Sequence, residues 1–145
     1  MFNSCRLQGA SALTACAMSH TLIASLDLSP HPEGGWYRET MRQPSPDGGR
    51  GLATAIMFLL EDGQRSHWHR VDATELWLWH AGAPLTLLID QTEHQLTGTA
   101  PQVIVPANAW QSAEAREGWA LVSCVVTPAF DFAGFELAPP GWSPE

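Results

Sequence analysis

The stretch Gly63-Gln64-Arg65-Ser66-His67-Trp68-His69-Arg70-Val71-Asp72-Ala73-Thr74-Glu75-Leu76-Trp77-Leu78-Trp79-His80-Ala81-Gly82 carries two readings at once. Residues Ser66–Val71 and Glu75–His80 are short extended runs separated by turn residues. In a strand His67 and His69 point to one face, roughly 6.6–6.8 Å apart along the chain. A hairpin through Val71–Thr74 would return the Glu75 carboxylate towards both rings. Two imidazoles and one carboxylate, with positions left open, form the donor set of catalytic zinc and non-heme iron centres. The same alternation puts Trp77 and Trp79 on the face of Glu75 and leaves Leu76 and Leu78 for the opposite side.

Working outward, short runs recur at Leu52–Leu60, Pro84–Asp90, His94–Leu96, Gln102–Val105, Trp119–Thr127 and Phe130–Leu137. They are separated by turn residues such as Glu61-Asp62-Gly63, Ala81-Gly82-Ala83-Pro84 and Thr97-Gly98. This spacing predicts an all-β sandwich or barrel. Towards the N-terminus, Leu28–Thr40 begins with two prolines and a Gly pair, an irregular turn, and continues as an extended segment that ends in the Pro/Gly-rich loop Gln43–Gly51. Before it, Ser19 is placed to cap a short amphipathic helix carrying Leu22, Ile23 and Leu26. Residues 1–18 are expected to form a disordered leader, and 19–145 a single domain.

The 145 residues suffice for one core without disulfides or a structural metal. The formal net charge is -8, and the seven basic residues are all Arg, scattered singly. Nucleic-acid binding lacks the concentrated basic surface it requires, and Schiff-base chemistry and a Walker-type phosphate loop lack their lysine. Three Cys with no close pair give neither a disulfide framework nor a Cys-based zinc site and point to a reducing, cytoplasmic compartment. The longest apolar stretch, Leu52–Leu60, is about half of the ~20 residues a membrane-spanning helix needs.

Gly63, His67, His69, Glu75 and Gly82 resemble the first motif of the cupin superfamily, although five residues separate His69 from Glu75 where many cupins have three or four. The second motif is represented by Gly98, Pro106-Ala107-Asn108 and Gln111, which puts Gln where cupins usually carry a fourth ligand, His. Five ordered blocks are similar to the cupin family catalogued as domain of unknown function 985. They are His31-Pro32-Glu33-Gly34-Gly35-Trp36-Tyr37-Arg38-Glu39-Thr40, Ser66–Arg70, Glu75–Trp77, Val105-Pro106-Ala107-Asn108-Ala109-Trp110-Gln111 and Thr127-Pro128-Ala129-Phe130-Asp131-Phe132. The resemblance covers about residues 20–140. It implies a double-stranded β-helix, a jelly-roll barrel, with an interior pocket, and a homodimer.

The candidate metal ligands are therefore His67, His69, Glu75 and Gln111. They would hold a divalent ion that these residues do not resolve among Fe, Mn, Ni and Zn; no organic cofactor is implied. His67, His69 and Glu75 are also the candidate catalytic residues, and Glu33, Tyr37, Arg38, Trp77 and Trp110 the candidate ligand contacts. Arg38 facing the pocket would favour a carboxylate or phosphate. His20, His31, His80 and His94 have no partner at ligand spacing and read as surface or capping residues, and Cys124 as buried filler. The expected function is a small-molecule cupin enzyme, metal-assisted and isomerase- or epimerase-like, acting on a carbonyl, sugar-like or acidic metabolite. The rival classes are a non-catalytic metabolite-binding or sensing module and an Fe(II) oxygenase.

Overall fold

A computed structural model describes residues 9–145. Helix α1 (Gly9–Ser25) precedes eleven strands: β1 (Ser29–Pro30), β2 (Trp36–Gln43), β3 (Ala53–Leu60), β4 (His69–Val71), β5 (Thr74–Gly82), β6 (Leu85–Ile89), β7 (Thr92–Leu96), β8 (Gln102–Val105), β9 (Gln111–Glu114), β10 (Ala120–Thr127) and β11 (Phe135–Leu137). They form two antiparallel sheets, ordered β1-β2-β3-β10-β5-β8 and β11-β4-β9-β6-β7. This is a jelly-roll barrel.

The inner faces close on one core. Phe58, Leu60 and Trp77 from the six-stranded sheet meet Leu85, Leu87, Leu96 and Ala113 from the five-stranded sheet. Strand alternation makes this possible, because in β3 and β10 every second side chain turns inward. The outward residues Leu59 and Leu121 are buried as well, under Leu22, Ile23 and Leu26 of α1. The helix thus covers one end of the outer face of the larger sheet. It starts well before the expected cap: Ser19 lies inside it, with its hydroxyl bonded to the Cys16 carbonyl at 2.9 Å. Residues 9–18 of the expected leader are therefore helical, and residues 1–8 lie outside the described part. No helix of the described residues is long and apolar enough to cross a membrane.

The expected hairpin between the His pair and Glu75 is absent. β4 pairs with β9 and β11 in one sheet, whereas β5 pairs with β10 and β8 in the other. The chain crosses the barrel at Asp72-Ala73, where the Asp72 amide donates to the Gly134 carbonyl and its carboxylate is held bidentately by Arg50. His69 and Glu75 consequently approach the interior from opposite walls. β4 is also shorter than the expected Ser66–Val71 run. Ser66 is bound instead to Ala113 and Ser112 through its hydroxyl and carbonyl, so regular pairing begins only at His69.

The turn His31–Gly35 is seated on Arg65-Ser66. Gly34, at φ +104, lies so close to the Arg65 carbonyl that a Cβ would sit 2.5 Å from its oxygen. Gly63, at φ +78, faces open space. Gly34→Ala should therefore cost at least ~3 kcal/mol, and Gly63→Ala about 1–2 kcal/mol, from backbone strain alone. Urea unfolding of both variants checks the difference; equal losses would contradict the seating of the turn.

Candidate functional site

A cavity of about 560 Å³ opens between the sheets, with His31, Glu33, His69, Glu75 and Cys124 in its polar wall and Phe130, Phe132 and Phe135 in its aromatic wall. Burial decides its chemistry. His69 is 2% exposed, Glu75 6% and Glu33 8%, so each needs a partner or must shed its charge.

The hydrogen bonds settle where the protons sit. His69 Nδ1 lies 2.8 Å from the His67 carbonyl oxygen, which can only accept, so Nδ1 carries the hydrogen. Burial also pushes the His69 pKa down to about 4, opposed by this backbone bond, which keeps the ring neutral at physiological pH. Its Nε2 is then a bare lone pair, and it faces Glu33 Oε2 at 3.1 Å. A carboxyl facing a lone pair is favoured in its protonated form. Burial, reinforced by the charge of Glu75, raises the Glu33 pKa well above its usual range, in agreement with that proton. His31 completes the turn: its Nδ1 accepts from the Glu33 amide at 3.1 Å, and burial lowers its pKa to about 4. It is therefore neutral with its hydrogen on Nε2.

Glu75 has different company. Gln111 Nε2 donates to Glu75 Oε2 at 2.6 Å, while Gln111 Oε1 accepts from Trp77 Nε1 at 2.9 Å. The indole N–H is a donor only, which fixes the orientation of the amide. Cys124 also bonds Glu75, and burial holds its thiol protonated by raising its pKa well above the usual value. Burial raises Glu75 to about 7, the Gln111 and Cys124 bonds pulling the other way. The two carboxyls of one cavity thus have different company, a bare imidazole nitrogen for Glu33 and an amide N–H for Glu75, the kind of split that separates an acid from a base.

The candidate residues divide. Glu33, Tyr37, Arg38, His69 and Glu75 line the cavity. Arg38 does so only at the rim: it is exposed and pairs across β2–β3 with Met57, on the face opposite Tyr37 and Phe58. His67 precedes β4 and turns away, its Nε2 donating to the Pro139 carbonyl at 2.9 Å. Trp77 is in the core, and Trp110 is outside the barrel, packed on Trp142 with Arg70 above it. Of the proposed ligands, His67 leaves the group, whereas His69 and Glu75 line the cavity and Gln111, paired with His69 across β4–β9, is bonded to Glu75. Among the described residues, no three His, Cys, Asp or Glu side chains are arranged to hold a metal ion. The expected four-ligand set is not assembled, because His67 Nε2 is committed to the Pro139 carbonyl and His69 Nε2 faces Glu33.

Sequence reasoning missed His31 and the cavity position of Cys124. The signal for His31 was its i, i+2 relation to Glu33 in a turn bounded by Pro32 and Gly34.

The family model described as Cupin superfamily (DUF985) matches residues 20–138. The chain belongs to that family. A solved structure of a Shewanella oneidensis protein is 37% identical with a TM-score of 0.74, covering 91% of this chain and 85% of its own. A hypothetical protein from Leishmania major is 30% identical with a TM-score of 0.71, covering 82% and 86%. KdgF from Halomonas sp. shares the cupin fold at 15% identity and a TM-score of 0.61, covering 74% of this chain and 90% of its own. None of the curated proteins matches the chain.

The four buried groups of this cupin give a pH signature. The carboxyls of Glu33 and Glu75 have folded pKa values above the ordinary 4.5, so the folded state holds extra protons, and the stability this lends is lost as pH rises through those values. His31 and His69 fall from 6.5 to about 4, so they act the opposite way, and the stability tied to their neutral rings is lost as pH falls through that window. Between about pH 4.5 and 6.5 the two effects oppose each other; above it only the carboxyls remain. Stability measured by urea unfolding should fall as pH rises from 6.5 through about 7, and Glu75→Gln should remove the part of the decline centred there. A rise over that range would contradict these assignments.

Proposed function

We propose that this cupin is an acid–base enzyme of isomerase or epimerase type, acting on a small carbonyl-bearing metabolite, sugar-like or acidic, held in the cavity. The observation that carries the reading is the split between the two buried carboxyls. Glu75, with a pKa of about 7, is available as a base at neutral pH, and Glu33, paired with His69 Nε2, retains its proton as an acid. In the forward step Glu75 takes a proton from the carbon next to the carbonyl, and the Glu33 proton leaves its bond to His69 Nε2 for the carbonyl oxygen, giving an enol, or an enediol where that carbon carries a hydroxyl. Return of a proton from Glu75 to the neighbouring carbon, and of the hydroxyl proton to Glu33, restores both groups and completes an isomerisation. His69 steadies Glu33 during the exchange, and Gln111 keeps Glu75 aimed. The rings of Phe130, Phe132 and Phe135 offer an apolar wall for the C–H face of the ligand.

One observation favours a second reading, a module that binds the metabolite without turning it over. Among the described residues every buried side-chain nitrogen and oxygen already has a hydrogen-bond partner, as in a rigid binding pocket.

Proton NMR in D2O separates the two. Aldoses, uronates and 2-oxo acids are incubated with the full-length protein, and deuterium is followed at the carbon beside the carbonyl. The wild type should exchange at least one class of compound, and Glu75→Gln should slow that exchange by about 10²–10⁴-fold while leaving the ligand-induced rise in melting temperature intact. A compound that raises the melting temperature but shows no exchange would support the binding module instead.

A further inference from the structure

The His-x-His pair of this chain sits where metal-holding cupin motifs have theirs, yet His67 Nε2, His69 Nε2 and both polar atoms of the Gln111 amide have protein partners. His69 Nε2 faces Glu33 Oε2 at 3.1 Å, from a loop that the sequence places more than thirty positions earlier. His67 Nε2 donates to the Pro139 carbonyl on the C-terminal segment, beside the pairing of β11 with β4 and the bond from the Ala138 amide to the Trp68 carbonyl. Gln111, directly opposite His69 in the β4–β9 register, turns its amide nitrogen to Glu75 and its oxygen to Trp77.

These commitments reinforce one another. An ion bound by both imidazoles would need His67 to leave Pro139, which loosens the C-terminal segment, and His69 to leave Glu33, which strands a buried carboxyl. Recruiting Gln111 would require its oxygen to abandon the Trp77 N–H, a buried donor with no alternative acceptor among the groups named here. Second-sphere partners normally orient ligands towards a metal; here the corresponding contacts aim the donors at each other.

We infer that this chain fills the metal position of a His-x-His barrel with its own groups, Glu33 closing His69, the Pro139 carbonyl closing His67, and Gln111 clamped between Glu75 and Trp77. The cavity is then a metal-excluding site whose polar wall is held together by direct hydrogen bonds. The inference stands apart from the proposed reaction, because it concerns ion uptake alone and holds whether or not the cavity turns a ligand over.

The test uses the full-length protein purified without chelator, with metal content measured by plasma mass spectrometry and Zn2+ and Ni2+ affinity by calorimetry. The wild type should carry well under one ion per chain and keep its melting temperature when Zn2+ is added. Replacing the plug should open the site: the double variant Glu33→Ala/Gln111→His frees His69 Nε2, supplies an imidazole opposite it, and should bind Zn2+ at least about tenfold more tightly than the wild type. Adding His69→Ala should abolish that gain, which separates the site from adventitious surface binding. Circular dichroism checks folding; if the double variant does not fold, Glu33→Ala alone carries the same expectation. A wild type holding one ion per chain, or a folded variant no better at binding Zn2+ than the wild type, overturns the inference. Neither readout depends on turnover, so a cupin that excludes metal but fails the deuterium exchange would sink only the proposed reaction.

Discussion

A single buried amide joins the two walls of the barrel. Gln111 belongs to the five-stranded sheet and is 1% exposed, yet both of its hydrogen bonds go to the six-stranded sheet. A buried polar side chain is costly unless satisfied, and here its satisfaction requires the sheets to sit in one register and at one separation. Hydrophobic packing of Phe58, Leu85, Leu87 and Val122 supplies the larger share of the driving force, but such contacts tolerate small slides that a fixed amide does not. The arrangement of the cavity depends on that constraint, since the partner that Gln111 orients is Glu75.

The barrel was legible because its strands alternate. Glu75 and Trp77 face inward and Leu76 and Leu78 outward, as period-two reading requires, and the runs at 52–60, 84–90, 102–105 and 119–127 are strands within a residue or two of their expected ends. The long, apolar, turn-bounded segments carried that signal. β9 did not: Gln111-Ser112-Ala113-Glu114 has no apolar pattern, and it is a buried strand because Ser66 bonds to Ser112 and Ala113 and β6 pairs along it from Thr86. Local sequence holds no trace of that pairing.

The site was legible in part, and for a related reason. Strand spacing placed His67 and His69 on one face, which would hold had the strand begun at Ser66; with regular pairing starting at His69, His67 escapes the alternation and follows the C-terminal segment. Glu33 and Tyr37 stood out through their motif, while His31 was discounted because no ligand stood at a familiar spacing. Its partner was two residues away, in a turn whose shape depends on the close approach of Gly34 to Arg65. Contacts made by turns against distant backbone are set by tertiary packing, which period counting does not see.

The aromatic wall has a bearing on how the protein comes into being. Phe130, Phe132 and Phe135 lie near the C-terminus, and the central strand β10 pairs residues 120–126 with 54–60. A nascent chain leaving the ribosome therefore cannot complete the larger sheet, or enclose any ligand, until residues 120–135 have emerged. Such long-range pairing slows folding and makes binding competence an all-or-nothing property of the finished polypeptide, so a prematurely terminated product would lack the pocket altogether rather than carry a weakened one.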